Sequence, residues 1–471
     1  MFYDLAIIGG TAVSGERSFV CDIFIINGKI VLIKEKKSEK DGGSGNRKTI
    51  KNAAKVIDAS GKLVLPGIID SHTHFHLKLG DGWSSDDFDN GSVAASLGGI
   101  TTFIDYAGQN PGESLLKGLD QRLSDADGKS YLDYSFHSQI TGFNSLADPE
   151  KEMRSAAEAG MSTFKMFTAY AARGLMSRDD EFFKALEISR DLGTLVCVHC
   201  ENGYLCDLLT ERYASGGGIM ALPQSRPAFT EIESVGRVAQ IASALNAPVY
   251  FVHLSAAGSA AAVQASREAE IPVMAETCPQ YLCLNDEKYK EQDSWLYSCC
   301  PPFRGKENNQ PLWEAVDKGI IQNIASDSCT ITREIKSRWG NDIRNMPMGI
   351  PGSQTLMPSV YTYGVKKGRI SIEKLVSCFC ENPSRIMGLK NKGFIKEGYD
   401  ADFAIIDPDK KEILDWHNIR HNADYSPWQG QEFYGFPEYT ILRGRILVEN
   451  GKFIADKPNG QYIKRVSPQV I

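Results

Sequence analysis

Leu63-Val64-Leu65-Pro66-Gly67-Ile68-Ile69-Asp70-Ser71-His72-Thr73-His74 decides how this chain is read. The apolar run 63–69 reads as a strand. His72 and His74 follow at its C-terminal end. Residues i and i+2 of a strand face the same side, so both imidazoles point one way. Two imidazoles so placed can hold a borderline-soft metal such as zinc. A pair of satisfied histidines at a strand end is the plainer reading of the motif taken alone.

Downstream of Pro66, short apolar strands alternate with longer helical patterns. Eight strands are expected: 67–70, 101–105, 132–137, 162–167, 195–199, 249–253, 273–276 and 320–327. Helical spacing falls between them, at 149–159, 179–192, 230–245 and 258–268. The first of these helices opens with Asp148 as N-cap and Pro149 at its first position. Eight such units predict a parallel α/β barrel, the (β/α)8 fold of the TIM type. A doubly wound open sheet is the main alternative, and no Gly-rich fingerprint follows the first strand to support it.

Both ends of the chain have β texture. Strands at 5–8, 20–25 and 29–34 are expected, the last two joined by an Asn27-Gly28 hairpin turn. Residues 56–58 and 63–65 read as a pair across the turn 59–62, and 36–51 reads as a mobile charged loop. After helices at 371–379 and 383–387, strands return at 401–407, 439–442 and 446–448. The economical organisation is a small β-sandwich made from both ends: residues 1–65 and 391–471, with the barrel at 66–390. The polar tail 456–471 reads as wrapping a neighbour or fraying.

The bulk numbers narrow the function classes. The chain has 471 residues, 42% hydrophobic and 24% charged, ordinary for a globular protein and too long for one small core. A net charge of -7 without a basic run argues against nucleic acid or an anionic membrane as partner. No apolar run reaches the ~20 residues of a membrane span. Met1-Phe2-Tyr3-Asp4 lacks a basic leader, and eleven scattered Cys do not form a secreted disulfide pattern. The expected location is the cytoplasm, with reduced thiols.

Barrel chemistry sits at the C-terminal ends of the strands. There the chain offers His72 and His74, then Lys165, His199, His253 and Asp327. Four of its eight histidines are in that set, which points to a metal site. Lys165, between Phe164 and Met166, is poorly solvated, and desolvation favours its neutral amine. A neutral amine can take up CO2 to give a carbamate, an anionic two-oxygen ligand able to bridge two metals. Pairing of Lys165 with a carboxylate at the barrel mouth is the competing reading.

Several stretches resemble the dihydropyrimidinase/D-hydantoinase family of cyclic amidohydrolases. They are 66–74, Phe164-Lys165-Met166-Phe167-Thr168-Ala169-Tyr170, Val198-His199-Cys200-Glu201-Asn202, Val252-His253-Leu254-Ser255, 276–282 and Ala325-Ser326-Asp327. The likeness continues to Asn422-Ala423-Asp424-Tyr425-Ser426-Pro427-Trp428. The resemblance implies two divalent ions, usually zinc, bridged by carboxylated Lys165 and a hydroxide. It gives one ion His72, His74 and Asp327, and the other His199 and His253. It makes Asp327 the proton carrier and Tyr170 the group that steadies the oxyanion. It also implies a homotetramer or dimer, and a cyclic ureide as the small-molecule substrate, opened to an N-carbamoyl amino acid.

Three positions depart from that family: Ser328 stands where His is usual, Cys300 where Ser is usual, and Met348 where Asn is usual. Cys300 and Met348 are the expected ring-amide contacts, largely through main chain. Phe167, Leu79, Leu77 and Trp83 are expected to line an apolar pocket for a ring substituent; packing among themselves would close it. Allantoinase, dihydroorotase and a non-catalytic scaffold are the alternatives. Phe75-His76-Leu77 lacks the Arg/Asn pair a dihydroorotase wants, and a scaffold would not keep all six ligands.

Overall fold

The computed structural model describes residues 1–36, 52–80, 82–214 and 216–471. The expected mobile loop at 36–51, apart from Lys36, lies outside the described residues. Eight parallel strands follow one another around a barrel in chain order. They are Ile68–Asp70, Ile100–Gly108, Asp133–Gln139, Thr163–Phe167, Leu195–His199, Val249–Phe251, Val273–Thr277 and Asn323–Ile324. A parallel bridge between Thr73 and Ser328 brings the first and last together. There is no reversal of strand order, so the barrel holds and the doubly wound alternative does not.

Alternation along the strands sorts the side chains. Phe164, Met166, Val196, Val198 and Phe251 join the large outer core under the helices. Ile69, Ile104, Cys197, Tyr250 and Met274 form an inner layer, floored by Ile386, Met387 and Leu389. The helix Pro149–Glu158 starts as expected, with the Asp148 carboxylate accepting from Lys151 N at 3.1 Å.

Strands from both chain ends hydrogen-bond into one nine-stranded mixed sheet, curled around a core that includes Leu5, Ile23, Ile57, Phe403 and Ile441. Strand Phe403–Ile406 carries the join. Phe403 and Ile405 enter that small core, whereas Ala404 and Ile406 enter the barrel's outer core. A buried charge cluster reinforces the contact. Lys392 Nζ donates to Asp133 Oδ2 and Asp402 Oδ2, each at 2.7 Å, and reaches Asp400 at 3.1 Å.

Four readings are corrected. The run 63–69 is two strands in two sheets, Leu63–Pro66 and Ile68–Asp70. The chain turns at Gly67, where a β-carbon would lie 2.2 Å from Thr101 Oγ1. Residues 56–58 do not pair with 63–65. Ala53–Asp58 and Leu63–Pro66 both run parallel along Tyr3–Val13, one after the other, across its irregularity between Ile7 and Gly10. The stretch 320–327 is extended only at Asn323–Ile324, because Ile320 N still closes the preceding helix on Ala315 O and Asp327 has φ 50°. The tail neither frays nor leaves the molecule. Arg465 is buried, and donates to Ser135 Oγ at 2.9 Å and Thr163 Oγ1 at 2.7 Å beneath the barrel.

Candidate metal centre

The rim of the barrel gathers the expected ligands. Asp327 Oδ1 lies 3.2 Å from His72 Nε2 and 3.1 Å from His74 Nε2. His199 Nδ1 lies 3.0 Å from His253 Nε2. The two groups are one cluster, since the His72 and His253 ring centres are 5.4 Å apart. Ligand atoms of His72, His253 and Asp327 all fall within 4.8 Å of one another. Tyr170 (φ 71°), His253 (φ 41°) and Asp327 (φ 50°) occupy the left-handed region. Such strain in bulky residues persists where surrounding structure fixes it, and it clusters at functional sites.

Lys165 is 2% exposed and points inward, between the outward Phe164 and Met166. Its Nζ lies 5.4 Å from the Tyr106 ring centre and 5.2 Å from that of Phe167. Among the described residues no carboxylate forms an ion pair with it, although the charges of Glu276 and Asp327 act on its amine. Burial pushes its amine down to about 8. Burial likewise drives His72 and His253 well below the ordinary imidazole value, and lowers His199. Burial alone would raise the Asp327 carboxyl, but His72 and His74 hold it down.

Two nitrogens on one zinc ion, each at about 2.0–2.1 Å, would lie about 3.3 Å apart at the tetrahedral angle. The His199–His253 separation of 3.0 Å is close to that. The second nitrogens fix the rings. His199 Nε2 donates to Glu201 Oε2 at 2.9 Å, leaving Nδ1 with a lone pair aimed at the cluster. His72 Nδ1 is held by Glu276, leaving Nε2 towards Asp327. The donor set is nitrogen and carboxylate oxygen, which suits zinc and similar divalent ions. The residues therefore fit a metal.

The Amidohydrolase family profile matches residues 63–447, most of the chain. The chain belongs to the amidohydrolase family. D-hydantoinase of Ralstonia pickettii is 32% identical over 469 residues, covering 98% of this chain and 99% of that protein. D-phenylhydantoinase of Escherichia coli O1:K1 / APEC is 35% identical over 417 residues, covering 87% and 89%. The crystal structure of dihydropyrimidinase from Brevibacillus agri NCHU1002 matches with a TM-score of 0.92 at 32% identity, covering 98% and 99%. Within the amidohydrolase family the chain is thus similar to hydantoinases and dihydropyrimidinases along nearly its whole length.

The remaining expected residues of this amidohydrolase divide in two. Tyr170 and Phe167 are at the cluster, their ring centres 4.8 Å and 5.9 Å from His199. Cys300 joins them, donating from Sγ to Glu201 Oε2 at 3.2 Å and contacting Tyr170. Leu79 lies on a short two-stranded arm, where Lys78–Leu79 pairs with Gly82–Trp83 and Trp83 stacks on His76 at 4.1 Å. Met348 is partly buried against the large core. Ser328, where His is usual, accepts from Gly352 N at 3.0 Å and so ties two loops.

Sequence reading missed the groups behind the ligands. Glu201 is fully buried, and bonds Arg226 as well as His199. Burial alone would raise its carboxyl, yet Arg226 and His199 hold it well below the usual range. Arg226 also lies over the Tyr170 ring, 4.9 Å from its centre. Glu276 accepts from Tyr250 Oη at 2.8 Å besides holding His72. Glu201 and Glu276 are carboxylates just past a barrel strand or on one, which is the one signal the sequence carried.

Proposed function

We propose that this chain hydrolyses a ring C–N bond of a cyclic ureide, a 5,6-dihydropyrimidine or a 5-substituted hydantoin, to the N-carbamoyl amino acid. The observation that carries the proposal is the convergence of His72, His74, His199, His253 and Asp327 around buried Lys165. The printed names of the relatives, D-hydantoinase and D-phenylhydantoinase, support the substrate class.

Two divalent ions, zinc by the donor chemistry, would be held by these residues together with Lys165 as its Nζ-carboxylate. Bound there, they would supply Lewis acidity, lowering the pKa of water and polarising the ring carbonyl. The chain's own groups do the rest. Asp327 takes a proton from the attacking water at its carboxylate and returns it to the ring nitrogen. Water oxygen adds to the carbonyl carbon, the ring C–N bond breaks, and the products are a carboxylate and a ureido nitrogen that has gained hydrogen. The Tyr170 hydroxyl donates to the oxyanion as it forms. Glu201 and Glu276 keep His199 and His72 aimed. Main chain at Cys300 and Met348 grips the ring amide, and Phe167 meets the substituent.

The protein works in a reducing cytoplasm, as its eleven free thiols suit. Among the described residues no helix is long and apolar enough to cross a membrane. Tyr204, Leu208 and Phe229 are exposed apolar residues on packed neighbouring helices. They offer a face for the homotetramer or dimer that the family resemblance implies. The test is ring opening of dihydrouracil and 5-phenylhydantoin by metal-loaded protein, lost on chelation and regained with zinc. A metal-loaded protein that opens neither ring contradicts the proposal.

A further inference from the structure

Lys336 lies in the helix Arg333–Ser337 and is fully buried. Among the described residues no carboxylate pairs with it. That sets it apart from buried Lys392, which meets three carboxylates. Lys336 Nζ donates instead to the Ser298 carbonyl and the Ser298 hydroxyl, each at 2.8 Å, with the Tyr425 ring centre 5.8 Å away. Burial pushes its amine down to about 7. A neutral amine has two N–H donors, and Ser298 supplies two acceptors.

Ser298 joins two segments that are far apart in sequence. Its Oγ donates to Pro347 O at 2.9 Å, and its carbonyl accepts from Gly349 N at 3.0 Å. The first segment runs on to Cys300, which bonds Glu201 and touches Tyr170. The second runs on to Ile350, whose carbonyl accepts from Cys329 N at 3.0 Å, just past Asp327. Both segments therefore border the metal cluster, and both are fastened at the oxygens that Lys336 holds.

We infer that Lys336 is a positioning residue for the substrate ring: it fixes Ser298, and through Ser298 holds 298–300 and 347–349 as one grip on the ring amide. It touches neither substrate nor metal. The inference rests on the cyclic-ureide reading given above.

The experiment compares metal-loaded wild type, Lys336→Met, Ser298→Ala and the double variant, with dihydrouracil and 5-phenylhydantoin. In each single variant KM rises about tenfold, the scale of one or two lost buried hydrogen bonds, while kcat stays within about threefold and metal content is unchanged. The double variant is no worse than Lys336→Met, because both act through the same oxygens. Hydrogen exchange on the free protein shows faster exchange at the Gly349 amide in both single variants. If Lys336→Met does not fold, Ser298→Ala carries both measurements. An unchanged KM, a fall in kcat and metal content at constant KM, or additive KM effects would overturn the inference. If wild type opens no ring, the function reading fails by itself. Exchange at Gly349 then still decides the tie, where unchanged protection overturns it and lost protection supports it.

Discussion

His199 Nδ1 and His253 Nε2 face each other at 3.0 Å inside the barrel mouth. His199 Nε2 donates to Glu201, so the Nδ1 that faces His253 is an acceptor. His253 Nδ1 is buried without a hydrogen-bond partner among the described residues. Both rings are kept from charging by burial. Neutral imidazoles with converging nitrogens are poor companions for each other and good ones for a cation. The same two rings border Lys165, whose neutral form burial favours. The geometry thus links ligand orientation and lysine chemistry in one place.

Lys165→Ala should lose metal and activity together, because it removes the group expected to bridge both ions. Short carboxylic acids should restore part of the turnover by supplying the missing bridge. Metal analysis and rates on the same preparations check this. A variant that keeps both ions and full turnover contradicts the bridging role.

Lys392→Met should destabilise the junction between barrel and curled sheet. It would leave Asp133 and Asp402 buried near each other with less compensating charge. Breaking a buried pair by removing one partner costs about 3–5 kcal/mol. Urea unfolding at neutral pH would register the loss. A change below about 0.5 kcal/mol, the usual range for surface substitutions, would show that the cluster is not needed for stability.

Lys336 makes stability depend on pH in a definite direction. Its amine titrates at about 7 in the folded protein, against about 10.4 when unfolded. Between those values the unfolded chain binds more protons, so stability rises with pH. The contribution is complete above the unfolded value and is lost as pH falls through about 7. Wild type should gain roughly a few kcal/mol on Lys336→Met between pH 7 and 10. Denaturant titrations of both proteins at the two pH values would show it. A pH-independent difference would contradict a neutral buried Lys336.

Much of this molecule was legible because its signals are local. The eight barrel strands are short, apolar and separated by helical spacing, and each was located to within a few residues. His72, His74, His199, His253 and Asp327 stand out as metal-capable groups at strand ends. The failures share a cause. Nothing in 63–69 says that Gly67 divides two sheets, because the reason is Thr101 pressing from another strand. Arg465 looks like a tail residue until Ser135 and Thr163 are seen above it. Glu201, Arg226 and Glu276 matter through partners up to 204 positions away. Leu79, expected at the pocket, lies on a two-stranded arm, and Trp83 of that arm stacks on His76. Phe167 is an apolar residue at the cluster, its ring centre 5.9 Å from that of His199.

The measurement that bears most directly on the account is kcat/KM of the metal-loaded protein for hydantoin, 5-phenylhydantoin, dihydrouracil, allantoin and dihydroorotate. Burial of an apolar substituent against Phe167 is worth about 1.5–3 kcal/mol, or about ten- to a hundred-fold in rate. The account predicts opening of the ring with uptake of one water, and 5-phenylhydantoin favoured over bare hydantoin by that factor. Failure to open any of the five rings, with two metal ions bound per chain, would contradict it.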